Sequence, residues 1–347
     1  MRWPPIYWHD VEITSPAFFA TENSYDEIRR VVNALNEKWW LYAPKAAGLH
    51  VHYGRGSDWI PFEHIRKMSA LLYAADPIIA QMHPEHRRRC DFSQSNRLYS
   101  ALAYGVSPVL AERKYRGEYD GQVGQEAEPI YPDNLDSRLP EGRPTRTRAP
   151  TFPTVFKRGS LKSYEFDQGT FDGTGRFGLR NIQAEDLVPN PDRSKPLKIP
   201  VGLLQILACD KAPQVAILQQ NFRNNRSAYS FDAYGRLYRT ARPAKRTVEF
   251  RQAPGTVDPD EIIAQCKICV GLGDFAGSTD TTELFKLIQD LISADGNPSW
   301  YDVFDLLFEL DLVEEARIIQ RRVARDNDIE IIDEIIAASS SGLKLGI

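Results

Sequence analysis

The apolar positions of this chain change period as it is read from the N-terminus. Residues 11–19, VEITSPAFF, carry β-branched and aromatic content that ends near Pro16 and predict a strand. From 24 to 35, SYDEIRRVVNAL spaces its apolar residues three and four apart behind a serine, the pattern of a capped amphipathic helix. GLHVHYG, 48–54, alternates again and predicts a second strand. PFEHIRKMSALLYAADPIIAQMHP, 61–84, predicts a longer amphipathic helix opened by Pro61 and interrupted at Pro77. RTVEFRQAPGT (246–256) returns to alternation, and a helix is expected from about Asp258 to Phe275. The last stretches, TTELFKLIQDLISADG, WYDVFDLLFELDLVEEARIIQRRVARD and IEIIDEIIAASS, carry helical spacing and helix-forming residues. Strands followed by a helical C-terminal region place the chain in the α+β class.

Between Gly117 and Pro153 the pattern stops: the segment is rich in Gly, Pro and charge and predicts a disordered insertion at about 117–153. The expected organisation is therefore one domain, with residues 1–276 carrying the strands and residues 277–347 forming a helical cap on it. GTGRFG (173–178) fits the form GxGxxG, but no apolar strand enters it and no helix leaves it, so turn glycines are expected.

A net charge of −4 and a pI near 5.9 give no overall electrostatic reason to bind nucleic acid or a membrane surface, so any basic site must be local. No long apolar run and no signal-peptide pattern is present, and a cytoplasmic protein is expected. Cys266 and Cys269 in CKIC fall three apart within a helical pattern, with no second CxxC or nearby histidine. They are expected as buried helix cysteines rather than a zinc or disulfide pair.

The candidate chemistry lies in two strands. Residues two apart on a strand share a face, so 48–54 sends Leu49, Val51 and Tyr53 one way and His50 and His52 the other. By the same rule 247–251 buries Val248 and Phe250 and gathers Thr247, Glu249 and Arg251 opposite. Imidazole and carboxylate can hold a divalent cation, and guanidinium pairs with phosphate or carboxylate at two points. Surface histidines on a half-exposed strand beside an ordinary Glu/Arg pair are the other reading of the same spacing.

EITSP, AAGLHVHYGRG, HPEHRRR and RTVEFRQAPGTVDPDEI, in that order, resemble the motif series of the amidoligase family, particularly its fungal members, within the glutamine-synthetase-like carboxylate–amine ligases. The resemblance covers about 11–100 and 215–276, and more loosely the helical tail. It implies an antiparallel glutamine-synthetase-like sheet whose concave face holds ATP, Mg²⁺ or Mn²⁺ and an acid substrate. An amide or isopeptide bond would then form through an acyl phosphate, between small-molecule or peptide carboxylate and amine substrates. By the same comparison Glu12, His50 and Glu249 would be metal ligands, and His52 and Arg251 would act on the phosphoryl group or the substrate carboxylate. One arginine of Arg87, Arg88 and Arg89 would reach a phosphate, and the solvated end of a helix is the other reading for the rest. Tyr229 falls where the family often has a Tyr-Asn pair, with Ser230 in place of the asparagine.

The chain departs from that family at its start. Relatives begin with a strand carrying two acids one residue apart, whereas only MRWPPIYWHD precedes VEITSP here. Magnesium sites in nucleotide enzymes use several oxygen ligands. A longer natural product, a substituting acid, or a catalytically degenerate relative that binds an acidic ligand or a partner would each account for the departure.

Overall fold

The computed structural model describes residues 9–118, 154–164, 188, 196–221, 226–235 and 245–329. Its elements in chain order are α1 (Glu22–Lys38), β1 (Gly48–Gly54), α2 (Phe62–Ile79), the short helices α3 (Glu85–Arg88) and α4 (Asn96–Tyr99), and α5 (Pro108–Arg116). They continue with α6 (Ile199–Leu207), α7 (Ala212–Gln219), β2 (Tyr229–Ser230), α8 (Asp232–Gly235) and β3 (Thr247–Pro254). Four helices close the described chain: α9 (Pro259–Ser278), α10 (Thr281–Gly296), α11 (Val303–Glu309) and α12 (Val313–Asp326).

The class is α+β. Three strands form one antiparallel sheet in the order β1-β3-β2, and helices cover one side of it. α2 is the centre of the core. Nearly every side chain from Met68 to Ile79 is buried, so this helix is covered all round rather than on one stripe, as an amphipathic helix would be. Pro77 does not end it. A proline only two residues from the helix end removes one hydrogen bond, and the chain tightens into a short 3₁₀ turn at Ala80–Met82. α6 packs close to α2 at Gly202, where a Cβ would stand 2.4 Å from the Tyr73 ring, so only glycine lets the two approach.

Several expected elements form as read. Thr21, not Ser24, caps α1, its side chain accepting from the Ser24 amide. β1 spans the predicted residues, and Asp258 caps α9 by accepting from the Asp260 and Glu261 amides. Cys269 is buried in α9 as expected, Cys266 is only half-buried, and all four cysteines are free. Residues 11–19 are the exception: they form no strand and lie exposed, Val11 at 72%. A short β-prone run becomes a strand only against a partner edge that buries one of its faces, and Pro16 removes a ladder donor from this one. Of the insertion expected at about 117–153, residues 119–153 lie outside the described residues, as do the GTGRFG glycines and the last part of the helical tail.

Candidate functional site

The antiparallel register of β1 on β3 sets His52 opposite Glu249, Val51 opposite Phe250 and Tyr53 opposite Val248. The core side therefore receives Val51, Tyr53, Val248 and Phe250, and the other side receives the imidazoles, Glu249 and Arg251. Between Leu49 and Val51 the register slips: Leu49 faces Ala253 while Val51 faces Phe250, so Arg251 and Gln252 together oppose the single residue His50. This is a β-bulge on β3. It ends the alternation, and Gln252, Ala253 and Pro254 are all buried.

Arg87 holds the bulge from beneath. Its side chain, 2% exposed, donates through Nη2 to the Arg251 carbonyl at 2.6 Å and through Nε to the Gln252 carbonyl at 3.2 Å. Gly48 makes the space, since a Cβ there would sit 2.8 Å from Arg87 Nη2. Deeper still, Gln252 Nε2 donates to the fully buried Asp76 at 3.2 Å, and Tyr229 Oη donates to Gln252 Oε1 at 2.8 Å. Asp76 also accepts from Ser95 Oγ at 2.5 Å, the Arg97 amide at 3.0 Å and Tyr164 Oη at 3.1 Å. Burial pushes the Asp76 carboxyl up, and these hydrogen bonds oppose it.

On the open side, one carboxylate oxygen is the focus. Glu249 Oε1 lies 2.8 Å from Arg251 Nη1, 3.2 Å from His50 Nδ1 and 3.7 Å from His52 Nε2. Burial opposes ionisation of Glu249, but the His50 hydrogen bond, the charges of Arg251 and His52, and the Arg251 hydrogen bond outweigh it and hold the carboxyl at about 2. Lys245 Nζ lies 3.4 Å from His52 Nε2, and His52 Nδ1 lies 3.0 Å from Thr247 Oγ1. Burial lowers the His52 pKa, Glu249 opposes, and Lys245, His50 and Arg251 reinforce the lowering. Arg251 Nε also donates to the Phe92 carbonyl at 3.3 Å, and the Arg226 guanidinium lies over the Phe92 ring, 4.1 Å from its centroid.

The structure thus brings together His50, His52, Glu249 and Arg251 and separates the other candidates. Glu12 stands on the exposed segment before α1, and no described hydrogen bond or ion pair joins it to this face. Of the three arginines, one of which was expected to reach a phosphate, Arg87 is buried, with Nη2 and Nε on the Arg251 and Gln252 carbonyls and Nη1 3.6 Å from Cys90 Sγ. Arg88 donates to the His83 carbonyl, and Arg89 pairs with Glu85 at 3.1 Å. Lys245 lies in the sequence just before β3 and was not singled out there. Phe92 and Arg226 come from distant segments and carried no signal in the sequence. A small cavity lined by Leu49, Val51, Phe250, His83 and Cys269 lies on the core side of the sheet and takes no part in the site.

A divalent cation does not fit this arrangement. Mg²⁺ demands near-octahedral oxygen ligands, whereas the face offers one carboxylate, and the oxygen that both imidazoles approach is taken by Arg251. Among the described residues, no group of three or more His, Cys, Asp or Glu side chains could hold a metal ion. No helix among them is long and apolar enough to cross a membrane. Compared with family models, curated proteins and solved structures, the chain gives no match.

Proposed function

We propose that the β1–β3 face binds a phosphate- or carboxylate-bearing ligand through Arg251, with Glu249 as the counter-charge the ligand displaces. The observation that carries this reading is the crowding of one ionised carboxylate oxygen by Arg251, His50 and His52, with Lys245 behind His52. A guanidinium parked on an internal carboxylate is already oriented and partly dehydrated, so an incoming anion exchanges one charged partner for another. His50 and His52 flank the exchange and can hydrogen-bond a second anion oxygen. The role is that of an acidic-ligand-binding protein related to the carboxylate–amine ligases without their metal set.

A second reading is an ATP-dependent carboxylate–amine ligase on a glutamine-synthetase-like sheet, acting on a small-molecule or peptide acid and amine with ATP and Mg²⁺. The placement of His52 directly opposite Glu249 favours it, because the two motifs that the family resemblance pairs share one face. No catalytic step is assigned, since the residues present do not make the metal site such a step needs.

Calorimetric titration of the full chain with ATP separates the two readings. The acidic-ligand reading expects binding that persists in EDTA, at similar affinity for ATP and inorganic triphosphate. Binding that appears only with Mg²⁺ or Mn²⁺ would overturn it in favour of the ligase, and no heat under either condition would overturn both.

A further inference from the structure

The cavity behind the sheet is lined by two polar side chains that the protein does not itself satisfy. Gln265, Cys269 and Leu272 share one face of α9, at the i, i+4 and i+7 spacing, and line the cavity opposite Val51 and Phe250 of the sheet. His83 enters from the residue that ends the 3₁₀ turn Ala80–Met82. His83 and Gln265 are each 3% exposed. Among the described residues, neither His83 Nδ1 nor Gln265 Oε1 has a hydrogen-bond partner.

The neighbouring polar groups are already engaged. Gln265 Nε2 is turned to Cys269 Sγ, 3.5 Å away, which leaves Oε1 as the unbonded end of the amide. Turning that amide over would exchange a lone acceptor for a lone donor and leave the same need. Tyr229 Oη donates to Gln252 Oε1 at 2.8 Å, and Gln252 Nε2 donates to Asp76 at 3.2 Å, so neither side chain is available to His83 or Gln265. A buried amide or imidazole that loses its bond to water and gains none in the fold is rare, because the loss is not recovered elsewhere.

Size and charge narrow what can complete the pair. The cavity is about 10 Å³, the room needed by a single water molecule. No acidic side chain lines it. Burial, and after it the charges of Arg322, Arg87 and Arg88, hold the His83 pKa well below its ordinary value, so three guanidinium groups stand close enough to repel a cation. An anion would face the Gln265 Oε1 lone pairs, which accept and cannot donate. A neutral molecule that donates to Oε1 and shares a second hydrogen bond with the imidazole meets both needs. Burial also pushes the Cys269 thiol up, so it keeps its proton and offers a weak donor as a third partner.

We propose that one ordered water is bound in this cavity and bridges His83 Nδ1 to Gln265 Oε1. The bridge joins α9 to the turn that leads into α3, the helix whose Arg87 supports the bulge of β3.

A high-resolution crystal structure of the full chain tests the bridge directly. The expected result is one peak of density, the size of a single oxygen, within about 3.2 Å of both atoms. A direct contact between His83 and Gln265, density with no peak between them, or a peak that is polyatomic or scatters anomalously would overturn the proposal. Urea unfolding gives an independent reading in solution. His83→Leu and Gln265→Leu each strand the other group and should each lower the folding equilibrium constant by about tenfold. The double variant, with both polar groups gone, should lose at least about fivefold less than the product of the two singles. Losses that simply multiply would overturn the bridge, and the density test on the unaltered chain stands whether or not the variants fold.

Discussion

The Arg87 guanidinium donates at 2.6 Å to the backbone carbonyl of Arg251, the residue whose own guanidinium is aimed at Glu249 on the opposite side of the sheet. One arginine, from α3, fixes the strand distortion that presents the other. The bulge leaves carbonyl oxygens turned into the interior, where an unpaired polar group is costly, and a buried fork of donors satisfies two of them at once.

Arg87→Ala is therefore expected to destabilise the protein by about 2–4 kcal/mol through the unpaired Arg251 and Gln252 carbonyls. Arg87→Lys should recover only part of that, because an ammonium is a point donor without the fork. Gly48→Ala forces the guanidinium aside and should cost about 1–3 kcal/mol. Because both changes disturb the same contact, the double variant Gly48→Ala/Arg87→Ala should lose less than the sum of the singles in urea unfolding. Additive losses would separate Gly48 from the support of the bulge.

Glu249 gives a signed pH dependence. Its carboxyl sits at about 2 in the folded chain against an ordinary 4.5. A depressed carboxyl contributes stability that is present above the ordinary value and is lost as pH falls through the window from 4.5 to about 2. The difference in unfolding free energy between the parent and Glu249→Gln should shrink across that window, measured by urea titration at successive pH values. A constant difference would mean that the carboxylate is not held by its cationic neighbours.

Asp76 acts with the opposite sign. Burial raises its pKa above the ordinary 3.8, so its contribution is greatest below that value and declines as pH rises through the native one. Asp76→Asn should abolish that slope. Asp76→Ala, which strands the Arg97 amide and the Gln252 and Ser95 donors, should cost about 3 kcal/mol or more in thermal or chemical unfolding. A cost below about 1 kcal/mol would show that the network beneath β3 does not support the strand.

Much of this arrangement was legible in the sequence because it depends on local period. β1 and the first half of β3 follow the alternation of Leu49, Val51 and Tyr53 and of Val248 and Phe250, and α1 and α9 follow helical spacing, although α1 starts before the serine read as its cap. The shared face of His50, His52, Glu249 and Arg251 follows from the same rule once the two strands pair. The bulge was not legible: nothing in EFRQAP marks where the ladder slips, and the residue that stabilises the slip lies far off in α3. α6 and α7 carry little polar punctuation, and mean apolarity without period announces burial but not helix. Residues 11–19 misled in the other direction, since β-propensity reports what fits a half-buried surface and no such surface among the described residues meets that segment.

The most direct test of the central claim, that Arg251 is a preformed anion partner held in reserve by Glu249, is the affinity of Glu249→Gln for inorganic triphosphate in EDTA, measured by calorimetry beside the parent. Removing the competing charge should free the guanidinium and tighten binding by about tenfold, the equivalent of about 1.4 kcal/mol. Weaker binding in Glu249→Gln, or binding restored only by added Mg²⁺, would contradict the account and make the carboxylate part of a metal site instead.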